Sequence, residues 1–253
     1  MGKAYVFVNQ KGGVGKTTSA VNLGAYLAAA GKTVLLVDFD SQANLTSSVG
    51  LDKNAAKPGV YELISGAAAL EQVIRGTSVP GLSVIPSGID LSGAAVELVE
   101  QENRDLFLRK VLAPARGSYD FIFIDCPPSL GVLTLNGLAA ADSVLIPMQC
   151  EYFAMEGLSL LLQTISRIQK GLNKELRIGG IFFTMYDQRT RLAQDVVREV
   201  SAYFREKVFE TIIPRNVRIS EAPSHGIPIS QYDPASSGGK AYQSLAEEVL
   251  SRG

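Results

Sequence analysis

Short continuous runs of apolar residues alternate along the chain with longer stretches in which apolar and polar positions mix. Continuous apolar runs are typical of parallel strands that are covered on both faces, whereas half-exposed strands alternate. The runs that predict strands are Tyr5–Val8, Thr33–Asp38, Leu82–Pro86, Asp120–Asp125, Ser143–Pro147, Ile178–Thr184 and Val208–Ile213. Their alternation with helical stretches predicts an α/β fold, a doubly wound and mostly parallel sheet with helices on both faces.

Apolar residues at helical spacing fill several intervals between these runs. The clearest sets are Leu158, Leu161, Leu162, Ile165 and Ile168, and then Leu192, Val196, Val200 and Phe204. Further helices are predicted from Lys16 to Ala30, with Gly31 as the C-terminal glycine, and from Gly239 to Leu250. Residues 41–81, rich in Ser, Ala and Gly, are expected to form an insertion of short helices. We find no repeat or convincing linker, and therefore expect a single domain over residues 1–253.

Composition narrows the class of protein. Apolar residues make up 46% of the chain, enough for a sizeable core, and the net charge of −1 provides no global attraction to nucleic acid or membrane. The two cysteines, Cys126 and Cys150, form no Cys-x-x-Cys pair, which favours a reducing compartment over a disulfide framework. The N-terminus leads directly into the first strand, and no apolar run approaches the length of a membrane span. We expect a cytoplasmic protein.

The segment Lys11-Gly12-Gly13-Val14-Gly15-Lys16-Thr17-Thr18 lies between the first strand and the first helix. Glycines let such a loop wrap around phosphate oxygens, and the N-terminus of the following helix favours an anion. Lys16 is predicted to reach the β- and γ-phosphates, and the Thr17 hydroxyl to bind Mg²⁺. The expected cofactors are therefore ATP and Mg²⁺. The additional Lys11 either points towards a nucleotide held by another subunit or is a solvated surface lysine.

Acidic residues follow two predicted strands. Asp125 ends one of them, and Asp38 and Asp40 lie at the end of another. An aspartate at the end of a buried strand beside a phosphate loop is expected to hold Mg²⁺, directly or through water, although such a residue can also cap the next helix. Asp40, two positions after Asp38, points to the same side of an extended chain and is our candidate for orienting the attacking water. The single histidine, His225, lies far along the chain and is not expected to act as a base.

The spelling Lys-Gly-Gly-x-Gly-Lys-Thr resembles the deviant Walker A motif of the ParA/MinD family of dimeric ATPases. In that family the first lysine, here Lys11, crosses the dimer interface to the partner's phosphates. The stretch Asp-x-Asp-x-Gln at 38–42 resembles the family's first switch, in which the second aspartate positions the water. The family usually continues Asp-Pro-Gln-Gly-Asn, whereas this chain has Asp40-Ser41-Gln42-Ala43-Asn44.

The segment from Pro214 to Gly226 is similar to the chromosomal ParA proteins, and the resemblance extends from Lys3 to Val249. It implies that Pro214 and Asn216 line the adenine base. It also implies an ATP-dependent homodimer that binds DNA non-specifically, with hydrolysis stimulated by a ParB-type centromere-binding protein. Such a protein would be associated with the nucleoid. Because the first strand begins at the N-terminus, we expect no operator-specific DNA-binding extension.

Basic residues are concentrated between positions 177 and 218, a stretch that contains eight Lys or Arg residues and five Asp or Glu residues. Arg191, Arg198 and Arg205 recur every seven residues, which predicts one helix face opposite the apolar one. That face either contacts DNA or is simply solvated, with Asp195 pairing to its arginines. The family resemblance adds Arg189 and Arg218 as candidate DNA contacts. Phosphate contacts are expected rather than base recognition, since no recognition-helix motif is present.

Two alternatives remain open at this stage, and one related branch is compared through its cysteines. A MinD-like ATPase that cycles on membranes would need a C-terminal helix with a basic face, but the tail from Ala241 to Gly253 is acidic. A ParA-like factor that positions a protein cargo is equally compatible with these motifs. The nitrogenase iron proteins, a related branch, share an iron–sulfur cluster between subunits. Cys126 and Cys150 lack the glycine-flanked setting of those ligands, so we expect small buried hydrophobic roles for them.

Overall fold

A seven-stranded sheet organises the protein in the computed structural model, which describes residues 1–98, 101–152 and 154–252. The strands are β1 (Lys3–Phe7), β2 (Val34–Asp38), β3 (Arg75–Gly76), β4 (Leu82–Ile85), β5 (Phe121–Asp125), β6 (Ser143–Gln149) and β7 (Arg177–Thr184). Their order across the sheet is β3-β4-β2-β5-β1-β6-β7, parallel throughout except for the antiparallel edge pair β3 and β4. The predicted doubly wound α/β fold is confirmed.

Helices connect the strands and cover both faces of the sheet. They are α1 (Lys16–Ala29), α2 (Asn44–Ser48), α3 (Val60–Ser65), α4 (Leu70–Val73), α5 (Leu91–Glu97), α6 (Phe107–Leu112), α7 (Val132–Ala140), α8 (Ala154–Lys170), α9 (Arg191–Phe204), α10 (Val217–Glu221), α11 (Ile229–Tyr232) and α12 (Ser237–Arg252). Three short helices and the small strand β3 occupy residues 41–81, where the sequence predicted short helices alone. No helix among the described residues is both long and apolar enough to cross a bilayer.

Two apolar layers lie on opposite faces of the sheet, because successive side chains of a strand point to opposite sides. In β1, Val6 belongs to the layer under α7, α8 and α9, whereas Phe7 belongs to the layer under α1 and α12. Both side chains are fully buried. Strands buried on both sides explain why the sequence shows continuous apolar runs rather than alternation.

The predicted strand Val208–Ile213 is wrong. The segment lies beside β7, and two of its N–H groups donate to β7 carbonyls at 2.8 and 2.9 Å. Between them, the N–H groups of Glu210 and Thr211 turn away and donate to the Glu248 carboxylate of α12 at 2.9 and 3.0 Å. A side chain from a distant helix thus replaces the strand ladder, and the segment contributes only isolated bridges.

The predicted basic face of α9 is only partly present. The helix ends at Phe204, and Arg205 adopts a left-handed backbone (φ 44°), so Arg205 does not share a face with Arg191 and Arg198. The expected pairing with Asp195 is confirmed, at 3.2 Å from Arg198 and 4.0 Å from Arg191. Leu192, predicted to pack inward, is 46% exposed.

Candidate nucleotide site

The phosphate loop joins β1 to α1, in the strand–loop–helix context that the motif requires. Gly13 and Gly15 have positive φ angles of 73° and 86°, a conformation that is strained for other residues. They turn the backbone so that the first residue of α1 is Lys16. The N–H groups of the first helical turn have no helical acceptors and face an anion site at this end.

Lys16 is folded into the loop and is only 6% exposed. Its Nζ atom donates to the carbonyl oxygens of Asn9 at 3.2 Å and of Lys11 at 3.1 Å. Burial lowers the pKa of its ammonium group, and the nearby Asp125 carboxylate opposes that effect. The ammonium group therefore lies at the centre of the loop, where a bound phosphate could replace the two carbonyl contacts.

Asp125, at the end of β5, meets the first turn of α1. The Thr17 hydroxyl donates to Asp125 Oδ2 at 2.6 Å, whereas the buried Oδ1 has no hydrogen-bond partner among the described residues. Burial, and then the charge of Asp38, raises the pKa of Asp125. A divalent cation would satisfy the orphaned oxygen and offset the cost of burying the charge. Thr17 and Asp125 thus fit a Mg²⁺ site.

Asp38 is paired with Asp125 in the register of β2 and β5, which confirms that both acids lie at the same edge of the sheet. Asp38 Oδ2 accepts hydrogen bonds from the Thr46 N–H at 2.8 Å and from the Thr46 hydroxyl at 2.6 Å. The same hydroxyl accepts from the N–H of Ser87 at 2.9 Å. In the contacts seen here, Asp38 anchors α2, and its role as a metal ligand stays a prediction. The sequence analysis did not single out Thr46.

Asp40 lies on the turn that follows β2 and is partly exposed. Its Oδ1 accepts a hydrogen bond from the N–H of Gln42 at 3.0 Å, leaving Oδ2 without a described hydrogen bond. Ala43 has a left-handed backbone (φ 53°) at the position where the ParA family usually has glycine. The segment 38–44 therefore keeps the left-handed backbone that glycine favours, although an alanine stands there. For a residue with a Cβ atom this conformation costs roughly 1–2 kcal/mol of conformational free energy.

Lys11 does not point into its own phosphate loop. Its side chain is 52% exposed and forms an ion pair with Glu151, which follows β6. The neighbouring surface is a depression of about 320 Å³ whose lining includes Gln10, Lys11 and Leu160. Lys11 thus lies at the outer rim of the site, next to a surface that carries a half-exposed leucine.

A cavity of about 260 Å³ opens beside the loop, and its lining includes Gly15, Thr18, Thr184, Pro214, Asn216 and Tyr242. The structure therefore brings Pro214 and Asn216 next to the phosphate loop, as the adenine prediction requires. Asn216 Oδ1 caps α10 by accepting from the N–H of Arg218 at 2.8 Å, and its Nδ2 donates to Ser237 at 2.8 Å. One lone pair and one hydrogen of the amide remain for a base.

Two wall residues of this cavity escaped the sequence analysis. The Thr184 hydroxyl, at the end of β7, donates to the carbonyl oxygen of Val14 at 2.8 Å and so fastens the loop to the sheet. The Tyr242 hydroxyl lies 3.0 Å from Ser19 Oγ, joining α12 to α1. Tyr242 has the spacing of an ordinary helix core position, so the sequence held no signal for it.

The predicted DNA contacts, Arg189 and Arg218, lie on the rim near this cavity, and both are held by carboxylates. Arg189 binds Asp187 through Nε–Oδ1 and Nη2–Oδ2 contacts of 2.9 and 2.6 Å. Arg218 lies 2.9 Å from Glu221 and 3.5 Å from Asp233. Neither arginine presents an uncompensated charge in this structure.

The two cysteines lie in different surroundings. Cys126 is buried against α7, and Cys150 is half-buried. Burial raises the pKa of both thiols, that of Cys150 to about 11. No metal-binding group of three His, Cys, Asp or Glu residues occurs in the part of the chain that the structure describes. The prediction of a small buried hydrophobic role is confirmed for Cys126. For Cys150 it is confirmed only in part, because that side chain is half-buried.

A family model described as an AAA domain matches residues 2–178. The chain is 63% identical to the "Chromosome-partitioning ATPase Soj" of Treponema pallidum (strain Nichols), over 100% of this chain and 98% of that protein. It is 53% identical to the "Sporulation initiation inhibitor protein Soj" of Bacillus subtilis (strain 168), over 100% of both. The chain belongs to the Soj/ParA family of chromosome-partitioning ATPases.

Membership in the Soj/ParA family and the loop geometry agree on the chemistry. A solved structure of cobyrinic acid a,c-diamide synthase from Mycobacterium smegmatis, with ADP and magnesium, superposes with a TM-score of 0.86. That protein is 38% identical, with 99% of this chain and 94% of that chain covered. The protein is an ATPase that uses ATP and Mg²⁺.

Proposed function

We propose that this Soj/ParA protein is an ATP-controlled switch for chromosome or plasmid partition. Two ATP-bound copies would pair face to face, bind DNA without sequence preference and associate with the nucleoid. A ParB-type partner would stimulate hydrolysis and so release the dimer from DNA. The observation that carries the proposal is the presence of two lysines in one loop, Lys16 turned inward and Lys11 held at the rim.

The position of Lys11 supports a dimer. Lys16 already occupies the loop centre, so a second lysine adds little contact to the same phosphates. The rim beside Lys11 exposes Leu160 at 47% and Tyr152 at 78%, and apolar surface of this kind favours burial against another protein. A second copy would cover this surface and bring its own Lys11 towards this copy's loop. Glu151 would then have to release Lys11.

Within the active site, each residue has a distinct proposed task. Mg²⁺ neutralises charge on the β- and γ-phosphates when it is bound. Thr17 and Asp125 would hold the metal, and Asp38 would fix α2 and the turn before it through its hydrogen bonds to Thr46. Lys16 would bind phosphate oxygens, and Asp40 would orient the attacking water. Pro214 and Asn216 would enclose the base.

The DNA surface is proposed to include Arg189 and Arg218. Both lie on exposed segments, and side chains of this type contact phosphates irrespective of sequence. Pairing two copies doubles the number of cations on one DNA, and each neutralised phosphate adds affinity by releasing counterions. Binding should therefore depend on ATP through the dimer.

One observation disfavours the membrane-cycling alternative. The apolar face of α12, including Leu245 and Val249, is buried against the layer that α1 also covers. That face is therefore committed to the core and is not available for a bilayer surface. A protein cargo instead of a DNA locus stays possible, because cargo choice would reside in the partner.

The test separates binding from hydrolysis. Lys16→Ala should abolish ATP binding, whereas Asp40→Ala should keep ATP binding and accumulate as a dimer, because Asp40 acts only on the water. Sizing chromatography with and without ATP, beside equilibrium binding of a fluorescent ATP analogue, distinguishes the two variants. An Asp40→Ala protein that is saturated with nucleotide yet monomeric would contradict the dimer switch.

A further inference from the structure

A third arginine lies in the same surface as the two candidate DNA contacts. The N–H of Arg215 donates to the carbonyl oxygen of Tyr186 at 3.0 Å, which fixes Arg215 beside the turn that carries Asp187 and Arg189. Arg218 follows three positions later, at the start of α10. The three arginines thus belong to one continuous stretch of the rim.

Their electrostatic surroundings differ. Arg189 has two hydrogen bonds to Asp187, and Arg218 lies between Glu221 and Asp233. Arg215 is exposed and forms no ion pair with any residue in the described ranges. The hydrogen bonds from Arg189 are the main cause that lowers the pKa of Asp187, and the charge of Arg215 contributes a smaller part. Arg215 is therefore near Asp187 without being bound to it.

This difference matters for binding a phosphate. An arginine already paired with a carboxylate must give up that contact, so its net gain from DNA is reduced. An unpaired arginine gives up only water and small ions, and its guanidinium fork matches two phosphate oxygens. The patch contains three arginines and three carboxylates, so its formal charge is zero, and a phosphate must compete with the carboxylates for the paired arginines.

We propose that Arg215 makes the principal contact to DNA phosphates on this surface. The Asp187 carboxylate competes with those phosphates for Arg189, so the Arg189–Asp187 ion pair must break when DNA binds. The inference rests on the proposed DNA binding and names the residues that set its strength. Arg215 itself lines the base cavity together with Pro214 and Asn216, so its position is tied to the nucleotide site.

The experiment measures affinity for random-sequence duplex DNA with saturating ATP, by fluorescence anisotropy at several salt concentrations. Arg215→Gln removes the charge, Arg215→Lys keeps it, and Asp187→Asn removes the competitor. Arg109→Gln is the matched control, because Arg109 is an exposed arginine of α6, which packs on the opposite face of the sheet. ATP-analogue affinity and dimer fraction are measured for every variant.

We expect Arg215→Gln to bind about tenfold or more weakly and to reduce the salt slope by roughly 0.9 per lost phosphate contact, about 1.8 per dimer. Arg215→Lys should restore most of the slope, Asp187→Asn should bind several-fold more tightly, and Arg109→Gln should match the parent protein.

Failure of the parent protein to bind duplex DNA with ATP would refute the proposed function itself. If the parent binds and Arg215→Gln binds equally well, the DNA proposal stands and the role of Arg215 is overturned. The same conclusion follows if Arg215→Gln loses affinity for the ATP analogue or fails to dimerise. Weaker binding by Asp187→Asn would overturn the competitor role.

Discussion

Replacing Thr46 with valine would remove the hydroxyl that joins the buried Asp38 carboxylate to the backbone after β4. The hydroxyl donates to Asp38 Oδ2 at 2.6 Å and accepts from the N–H of Ser87 at 2.9 Å. Thr46 is completely buried, so water does not replace either contact. Valine has nearly the same shape, and the substitution therefore tests the hydroxyl rather than the packing.

The expected cost follows from these two contacts. A hydrogen bond to a charged group contributes about 1.5–3 kcal/mol, and leaving a buried N–H without an acceptor costs about 1–3 kcal/mol. The added apolar methyl group offsets part of the sum, at about 0.8 kcal/mol. We expect Thr46→Val to lower the free energy of unfolding by about 3 kcal/mol. For a chain of this size that corresponds to a Tm lower by about 6–12 °C.

The measurement is thermal and urea unfolding without nucleotide, followed by circular dichroism. Thr46→Ser is the matched control, since it keeps the hydroxyl and loses a single methyl group, for an expected cost of about 1 kcal/mol. If Thr46→Val were as stable as Thr46→Ser, the hydroxyl would not be the link that holds Asp38, and the account of this switch would be wrong.

Three further predictions concern the loop and the segment that leads to the base cavity. Thr17→Ala should bind ATP with an affinity that no longer rises when Mg²⁺ is added, as measured by titration of a fluorescent analogue with the metal or with EDTA. Lys11→Ala should retain ATP binding but lose dimerisation and hydrolysis, and a variant with full turnover as a monomer would argue against a role in the partner's site. Gly180→Ala would place a Cβ atom in steric conflict with the ring of Phe209, which is only 3% exposed. We expect a loss of about 3 kcal/mol in urea unfolding, whereas Gly157→Ala, with open space at its Cβ, should be neutral or slightly stabilising.

The core of the site follows from local sequence signals. A buried parallel strand appears in the sequence as a continuous run of apolar residues. In this class of fold, ligands bind at the carboxyl ends of such strands. Asp38 and Asp125 terminate such runs, and the observed register sets them side by side. The glycines and lysines of the loop carry their own conformational and chemical signature. These elements needed no knowledge of distant contacts.

Other features depend on contacts between distant parts of the chain, and the sequence analysis missed them. The segment Val208–Ile213 has the composition of a strand, but its ladder is interrupted by Glu248, nearly 40 residues later. Ala43 adopts a left-handed backbone that alanine disfavours by itself, and only the surrounding structure imposes it. Tyr242 reaches the base cavity because α12 packs against α1. Periodicity identifies a buried position, but it does not identify what the buried residue touches.

The cations that the proposed switch would use are mostly paired within the single copy. Lys11 is bound by Glu151, Arg189 by Asp187, and Arg218 by Glu221. All three pairs lie at the surface, where an ion pair contributes little to stability, so each is readily exchanged for a phosphate. Each exchange nevertheless replaces one ionic contact with another, so the net gain from any one exchange is small. Tight binding then requires several exchanges at once, which a dimer provides and a monomer does not. Internal pairing of this kind would make DNA binding depend on ATP without a large change in the fold.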